Sequence, residues 1–306
     1  MPKRNLLAIA AAGAVLLGAC GKHVTQVDPV YQKEVDDWKA GRLGRLTGPD
    51  GWTTLVGLYW LKDGSNRFGS GADNDMSLAA KGFPAHVGRF EFDGKSVSFT
   101  AASDANVTSS GKPVSTIKMV SDADAGEAGP TTLSVGSVSF YAIKRVDKMG
   151  IRVKDTAADA RVHFKGLEYF PLDPDWRFTA KFEPYSPMKK IPIINILGME
   201  EDMDSPGALL FEVDGKQYRL DTVLEDGETD YFVMFADQTS GKQTYGAGRF
   251  LYVKPPKDGT TVLDFNKSYN PPCVFSPYAT CPLPPSQNRL PLAVTAGELR
   301  YDGAGH

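Results

Sequence analysis

From Trp52 onward, apolar and polar residues alternate with a period close to two, which is the spacing of a half-buried β-strand. Asp93-Gly94 and Asp214-Gly215 each separate two such runs, and Asp-Gly at this place is typical of a type I′ hairpin, which needs a positive φ at both positions. Further predicted strands are 132–135, 138–145, 150–154, 176–184, 191–196, 230–236, 247–253 and 260–265. About a dozen short strands predict an all-β fold, an antiparallel sandwich or barrel.

The period changes to that of a helix only before this region. Asp28-Pro29 is typical of an N-cap followed by proline in the first turn. Tyr31, Val35 and Trp38 then follow at helical spacing, so we expect one short amphipathic helix that runs to about Ala40. The glycines at positions 41 and 44 are expected to end it.

The N-terminus predicts where the protein is sent. Two basic residues precede the apolar run Leu6–Leu17, which is shorter than the roughly 20 residues of a spanning helix and fits a secretory signal peptide. Leu17-Gly-Ala-Cys20 resembles the bacterial lipoprotein box, which implies cleavage after residue 19 and acylation of Cys20, palmitate being one of the acyl chains. We therefore expect membrane attachment through Cys20 at the inner face of the outer membrane. An ordinary signal peptide with an incidental cysteine is the alternative.

Two cysteines remain in the mature chain, Cys273 and Cys281. In an oxidising envelope compartment, the simplest expectation is a disulfide between them. A redox or metal role is the alternative, but the sequence has neither a CxxC motif nor a Cys/His cluster. We predict no metal site and no cofactor.

Composition changes the picture in one respect. The chain of 306 residues has 34 Lys and Arg against 37 Asp and Glu, a net charge of −3, which argues against a general nucleic-acid-binding surface. The expected organisation is a signal peptide (1–19), an anchor, tether and helix (20–44), and β units at 45–155 and 156–306.

Two hexamers nearly match, Phe90-Glu-Phe-Asp-Gly-Lys95 and Phe211-Glu-Val-Asp-Gly-Lys216. Either a duplicated β unit or two hairpins that use the same favoured turn would explain them.

Several blocks in order resemble an uncharacterised bacterial and archaeal family, domain of unknown function 1684, over roughly residues 45–298. They are Gly51-Trp-Thr-Thr-Leu-Val-Gly-Leu-Tyr-Trp60, Asn66-Arg-Phe-Gly-Ser70, Phe164-Lys-Gly-Leu-Glu-Tyr-Phe170, Thr244-Tyr-Gly-Ala-Gly-Arg-Phe250, Leu263-Asp-Phe-Asn266, Asn270-Pro-Pro-Cys273, Cys281-Pro-Leu-Pro-Pro285 and Gln287-Asn288. The resemblance implies membership of that family and no particular reaction.

A second, weaker resemblance covers residues 55–101. Arg67-Phe-Gly-Ser70 and the hairpin after His86 are similar to the start of a forkhead-associated domain, which would imply phosphothreonine reading by Arg67 and Ser70. Phe83 stands where that motif has its phosphate-binding serine, so a shared β-sandwich fragment is the alternative.

No standard catalytic motif is present. The sequence has no G-x-S-x-G, H-E-x-x-H or P-loop pattern, and only His86 and His163 lie away from the ends of the mature chain. Glu168 and Asp264 lie among large apolar residues, where burial would raise a carboxyl pKa toward acid–base use. Backbone or arginine pairing is the alternative for both.

The densest polar cluster lies in a proline-rich segment near the C-terminus. Prolines fix φ and the expected disulfide closes the segment, so its side chains are held at low entropic cost. The residues that we expect to bind a ligand are Asn266, Tyr269, Asn270, Tyr278, Gln287, Asn288 and Arg289. Such side chains suit an envelope glycan or small molecule, and they equally suit hydrogen bonds that hold the segment on the fold.

The expected function is therefore an envelope lipoprotein that binds a ligand, or supports another envelope component, through this segment. The alternative is a metal-independent hydrolase with Glu168 and Asp264 as its acid–base pair, which would need the two carboxyl groups about 5–10 Å apart.

Overall fold

A computed structural model describes residues 27–303. The signal peptide and the lipidation site at Cys20 lie outside the described residues. The fold opens with the helix α1 (Pro29–Thr47) and continues almost entirely as antiparallel β-strands, so the predicted all-β class with one N-terminal helix is confirmed. A four-residue helix, α2 (Asp159–Val162), separates the two groups of strands.

Helix α1 begins as predicted and ends later. The Asp28 carboxylate accepts the N–H of Val30 at 2.8 Å, and Pro29 opens the first turn. The predicted end near Ala40 is wrong, because the helix passes both glycines and reaches Thr47. Arg42 and Leu46 in the extra turns are buried against the rest of the fold, and this packing extends the helix.

The first group of strands forms two sheets that pack face to face. The sheets are β1-β11-β10-β9-β6-β7 and β3-β2-β4-β5-β8, antiparallel except for the short β2–β3 pair. The strands are β1 (Leu55–Trp60), β2 (Gly64–Gly69), β3 (Met76–Ser77), β4 (Gly88–Phe92), β5 (Val97–Ala101), β6 (Thr108–Ser109), β7 (Lys112–Pro113), β8 (Thr116–Met119), β9 (Thr132–Val135), β10 (Val138–Arg145) and β11 (Lys148–Asp155).

The core of this sandwich is aromatic. Phe140 from one sheet lies 5.1 Å from Phe68, 5.9 Å from Phe90 and 5.5 Å from Phe99 of the other, measured between ring centroids, and all four are fully buried. Edge-on contacts of this kind add to the burial of apolar area that holds the two sheets together.

The second group of strands forms the sheet β14-β13-β12-β17 and the pair β15-β16, and among residues 27–303 no sheet combines strands of the two groups. Its core is centred on Phe265, whose ring lies 5.4 Å from Phe211 and 5.2 Å from Phe235. The strands are β12 (Arg177–Ile194), β13 (Glu200–Val213), β14 (Lys216–Asp221), β15 (Tyr231–Phe235), β16 (Arg249–Val253) and β17 (Thr260–Asp264). The predicted strands 176–184 and 191–196 are the two halves of β12, with an irregularity between Pro184 and Lys189.

The two Asp-Gly turns differ. Asp214 and Gly215 both have a positive φ, 50° and 75°, so the predicted type I′ turn is confirmed between β13 and β14. Between β4 and β5 only Gly94 has a positive φ, and the Asp93 carboxylate instead accepts the N–H groups of Lys95 and Ser96 at 2.9 and 2.7 Å. The prediction of a type I′ turn is therefore wrong there, because the side chain supplies the turn's hydrogen bonds.

Candidate functional site

A cleft of about 1060 Å³ lies where helix α1, the sandwich and the second group of strands meet. Its lining comes from α1, from β10 and β11 of the sandwich, from β12, β13, β15, β16 and β17, and from the segment around Cys281. Clefts of this size at the junction of two structural units are common places for small ligands.

Aromatic rings form one wall of the cleft. The Tyr252 ring stacks on Phe232 with centroids 5.0 Å apart and on Tyr269 at 6.4 Å, while Trp38 of α1 lies 6.4 Å from Tyr269. Phe232 and Tyr252 are direct partners in the β15–β16 register, so the sheet itself aligns their rings. The wall offers a large apolar surface with hydroxyl groups at its edge.

A buried ion pair fixes α1 against this wall. The Arg42 Nε donates to the Glu298 carboxylate at 2.9 Å and the Arg42 Nη2 donates to the Asn270 carbonyl at 2.9 Å. Glu298 is fully buried and also accepts the Asn270 N–H at 2.8 Å. The guanidinium lies 4.6 Å from the centroid of the Tyr269 ring, which it holds in the cleft wall.

Arg152 lies in the cleft without such a partner. It points away from the sandwich core that its neighbours Ile151 and Val153 enter, yet it is only 4% exposed. Its Nη2 donates to the Thr280 hydroxyl at 3.3 Å, its Nε has no hydrogen-bond partner, and its guanidinium lies 5.2 Å from the Trp52 ring. Within residues 27–303, no carboxylate lies within 4.0 Å of it.

Glu225 is a carboxylate of the cleft lining whose pKa is raised. Burial raises the pKa of Glu225 above its usual range, and its carboxylate accepts a hydrogen bond from the Tyr252 hydroxyl. Burial, first of all, also raises the pKa of Tyr252, so this phenol keeps its proton at neutral pH and remains the donor.

We expect Glu225→Gln to raise the melting temperature at pH 7. Because the pKa of Glu225 is raised in the folded state, that state binds the proton more tightly than the unfolded chain, and stability falls as pH rises through the raised pKa. Glutamine removes this cost and still accepts from Tyr252. In thermal melts from pH 3 to 8, the advantage should shrink as pH falls below the ordinary carboxyl range. Glu212→Gln, at an exposed position of β13, is the control and should change the melting temperature little at any pH; an advantage of Glu225→Gln that persists at pH 3 would contradict the assignment.

Both cysteines are free thiols in the structure, buried and adjacent. The Cys273 N–H donates to the Cys281 Sγ at 3.0 Å. A hydrogen bond from the Cys281 thiol lowers the pKa of Cys273, whereas burial raises the pKa of Cys281. The disulfide expected from the sequence is not formed here and stays a prediction. No group of three or more potential metal ligands occurs among residues 27–303.

The carboxylate pair predicted from the sequence does not form a site. Glu168 is exposed, so the burial that favoured it as an acid is absent, and it does not line the cleft. Asp264 lines the cleft and is buried, but its Oδ1 accepts from the Tyr31 hydroxyl at 2.9 Å and from the Asn266 N–H at 3.1 Å. Asp264 therefore has the structural pairing that the sequence left open as its alternative.

Three of the asparagine side chains predicted to bind a ligand instead hold the segment on the fold. The Asn266 amide donates to the Asp173 carbonyl at 2.8 Å, and that of Asn270 to the Leu299 carbonyl at 2.7 Å. The Asn288 amide donates to the carbonyls of Asp221 and Met234, at 2.8 and 2.9 Å. All three asparagines are buried, so their prediction as ligand-binding residues is corrected to a structural role.

Of the other residues of the segment that were predicted to bind a ligand, one lies in the cleft and the rest lie outside it. Tyr269 lies in the cleft wall, as does Cys281. Tyr278, Gln287 and Arg289 are exposed and lie outside the cleft, with the Gln287 amide donating to the Asp221 carboxylate at 3.1 Å. The cleft thus takes residues from the start of this region and residues 279–282 from its middle, but none from its C-terminal end.

The two residues of the forkhead-associated resemblance do not make an anion site. The Ser70 hydroxyl donates to the Phe83 carbonyl at 2.9 Å, and Arg67 pairs with the Asp75 carboxylate at 3.3 Å. Neither lines the cleft. Phosphothreonine reading by these residues has no geometric support.

Residues 162–299 match the family described as "Protein of unknown function (DUF1684)". The chain is similar to an uncharacterized protein of Haloarcula marismortui with a solution NMR structure, at 35% identity over 45% of this chain and 78% of that chain, with a TM-score of 0.39. No curated protein matches the chain.

Forkhead-associated domains are more distant. The FhaA FHA domain, complexed with the intracellular domain of Rv3910, is 17% identical over 32% of this chain and 97% of that chain, with a TM-score of 0.23. An FHA domain from an analysis of phosphothreonine-dependent interactions is 18% identical over 33% of this chain and 96% of that chain, with the same TM-score. These values are too low to transfer a ligand. Through residues 162–299, the chain belongs to the DUF1684 family of proteins of unknown function.

Proposed function

We propose that the protein is an envelope lipoprotein that binds a small amphipathic ligand in the cleft between its two groups of strands. The observation that carries the proposal is the cleft itself, about 1060 Å³ with a continuous wall of stacked rings beside charged groups. Binding sites for small organic molecules combine these features, an apolar surface and a few polar groups that fix orientation.

The sequence predicted that the proline-rich segment binds the ligand, whereas we propose the cleft as the binding site. The segment contributes the Tyr269 ring and the Cys281 region, while its asparagines hold the segment on the fold. The hydrolase alternative loses its basis, because Glu168 lies outside the cleft and Asp264 is bonded to Tyr31 and Asn266.

Tryptophan fluorescence tests the proposal. The chain has four tryptophans, of which Trp38 and Trp52 line the cleft whereas Trp60 and Trp176 do not. In the variant Trp60→Phe/Trp176→Phe, every remaining tryptophan reports on the cleft. Titration with 4-phenylbutyrate and its neutral amide, 4-phenylbutanamide, at up to millimolar concentration should give a saturable change in emission.

The complementary variant Trp38→Phe/Trp52→Phe is the control, and its emission should not respond. Unchanged emission from Trp38 and Trp52 with both compounds would overturn the proposal, as would an equal response from Trp60 and Trp176.

The envelope location is tested through the cysteines. Cys20→Ala should release the protein from the membrane fraction into the periplasm, because the acyl chains are the proposed attachment. In protein isolated from the envelope without reductant and then unfolded in denaturant, Cys273 and Cys281 should resist alkylation, because an oxidising compartment would join the adjacent thiols. Membrane retention of the alanine variant, or two reactive thiols, would contradict this part of the proposal.

A further inference from the structure

The charges of the cleft are not evenly distributed. The charged residues that the sandwich contributes to the lining are all cationic: Lys144, Arg145 and Arg152. The second group of strands and its loops contribute acidic residues to the lining, mainly from the β14–β15 loop, together with the cations Arg177, Lys254 and Lys267. The sandwich strands therefore form the part of the lining that has cations without acidic residues, which favours an anion there.

Arg152 is the cation on that side that is both buried and unpaired. Arg145 donates to the Asp122 carboxylate at 2.8 Å, whereas Arg152 has only the Thr280 hydroxyl and the Trp52 ring. A buried guanidinium without a carboxylate is costly, and buried charges in folded proteins are normally paired. The fold pairs its other buried arginines, Arg42 and Arg249, with fully buried carboxylates.

The surroundings of Arg152 do not supply a counter-ion. Cys281 lies close enough for the cation to act on its pKa, but burial raises that pKa above its usual range, so the thiol stays neutral. Asp50 and Glu201 are acidic residues of the cleft lining, and neither carboxylate comes within 4.0 Å of Arg152. The contacts of the guanidinium are the Thr280 hydroxyl and the Trp52 ring, and the aromatic wall lines the same cleft.

We propose, on the basis of the ligand-binding function above, that the ligand is an amphipathic anion whose carboxylate or phosphate group pairs with Arg152 while its apolar body lies along the aromatic wall. Thr280 supplies a hydroxyl beside the anionic group, and Trp52 covers the guanidinium on one face. Arginine suits this role because its planar donors match the oxygen atoms of either anion.

Calorimetric titration with three matched probes tests the inference. The probes are 4-phenylbutyrate, 3-phenylpropyl phosphate and the neutral 4-phenylbutanamide, and the full chain is used throughout. At least one anion should bind about tenfold to a hundredfold more tightly than the amide, as expected for a charge-assisted pair in a buried site. The relative affinity of the two anions distinguishes a carboxylate from a phosphate ligand.

The variant Arg152→Met should abolish this preference while retaining the weak binding of the amide, and Arg152→Lys should keep part of it. Arg219→Met is the matched control, because Arg219 pairs with Glu183 outside the cleft, and its preference should equal that of the wild type. Melting temperatures of all variants establish that they fold.

The outcomes separate the two proposals. Equal affinity for the amide and both anions, or an anion preference that survives in Arg152→Met, would overturn the inference while leaving ligand binding in the cleft intact. Absence of binding by all three probes would overturn the proposed function, and the inference with it.

Discussion

Replacing Arg249 by methionine is expected to lower the free energy of unfolding by about 3–5 kcal/mol, the cost of breaking a buried ion pair. Arg249 is 1% exposed, and its Nη2 donates to the Asp237 carboxylate at 2.6 Å and to the Val294 carbonyl at 2.9 Å, while Nη1 donates to the Ala296 carbonyl. Methionine leaves the Asp237 charge buried without its cation, with Thr239 as the remaining donor to that carboxylate, and removes the arginine's hydrogen bonds to the Val294 and Ala296 carbonyls. Denaturant unfolding measures the loss as a lower midpoint.

Arg152→Met is the matched comparison, because it removes a second buried arginine from the same fold. It leaves no carboxylate unpaired, so we expect the free energy of unfolding to change by about 1 kcal/mol or less. A loss for Arg152→Met as large as that for Arg249→Met would mean that Arg152 is a structural residue, against its proposed place in ligand binding.

The second large effect is expected for Glu298→Gln, which should lower the free energy of unfolding by about 3 kcal/mol. One carboxylate oxygen accepts from the Arg42 Nε and, at 3.4 Å, from the Tyr169 hydroxyl, and the other accepts from the Asn270 N–H. A glutamine amide has one acceptor oxygen, so one donor would face the NH₂ group. Because Arg42 connects α1 to this carboxylate, the helix should also open, and trypsin should cleave after Lys39 and Arg42 faster than in the wild type.

Glu34→Gln provides the control within the same helix. Glu34 is 43% exposed and pairs with Lys267 at the surface, so its loss should cost about 0–1 kcal/mol and leave the tryptic pattern unchanged. Equal effects of Glu298→Gln and Glu34→Gln would contradict the account of how α1 is held.

The strands can be predicted from the sequence because alternating apolar residues and turn residues lie within a few positions of each other in the chain. Alternation and turn residues place β9, β10 and the Asp214-Gly215 turn where the structure has them. The end of α1 could not be found in this way: the glycines at 41 and 44 indicate a stop, but Arg42 bonds to Glu298, 256 residues along the chain. A tertiary contact of this range leaves no local signal.

The candidate site could not be predicted for the same reason, because its residues come from distant parts of the chain. The sequence marked the polar side chains of the proline-rich segment, and most of them prove to be consumed in holding it, as with Asn270 and Asn288. The alternation of residues along β11 predicts that Arg152 points away from the sandwich core. It does not predict that Thr280, far along the chain, contacts Arg152 and that Arg152 is buried there. Cleft residues such as Trp38 and Tyr252 come together only in three dimensions.

A crystal structure of the full chain grown with 4-phenylbutyrate tests the central claim most directly. The account predicts the phenyl ring against the wall formed by Phe232, Tyr252 and Tyr269, with the carboxylate at hydrogen-bond distance from the Arg152 guanidinium. An occupied site elsewhere on the surface, with the cleft free of the compound, would contradict it.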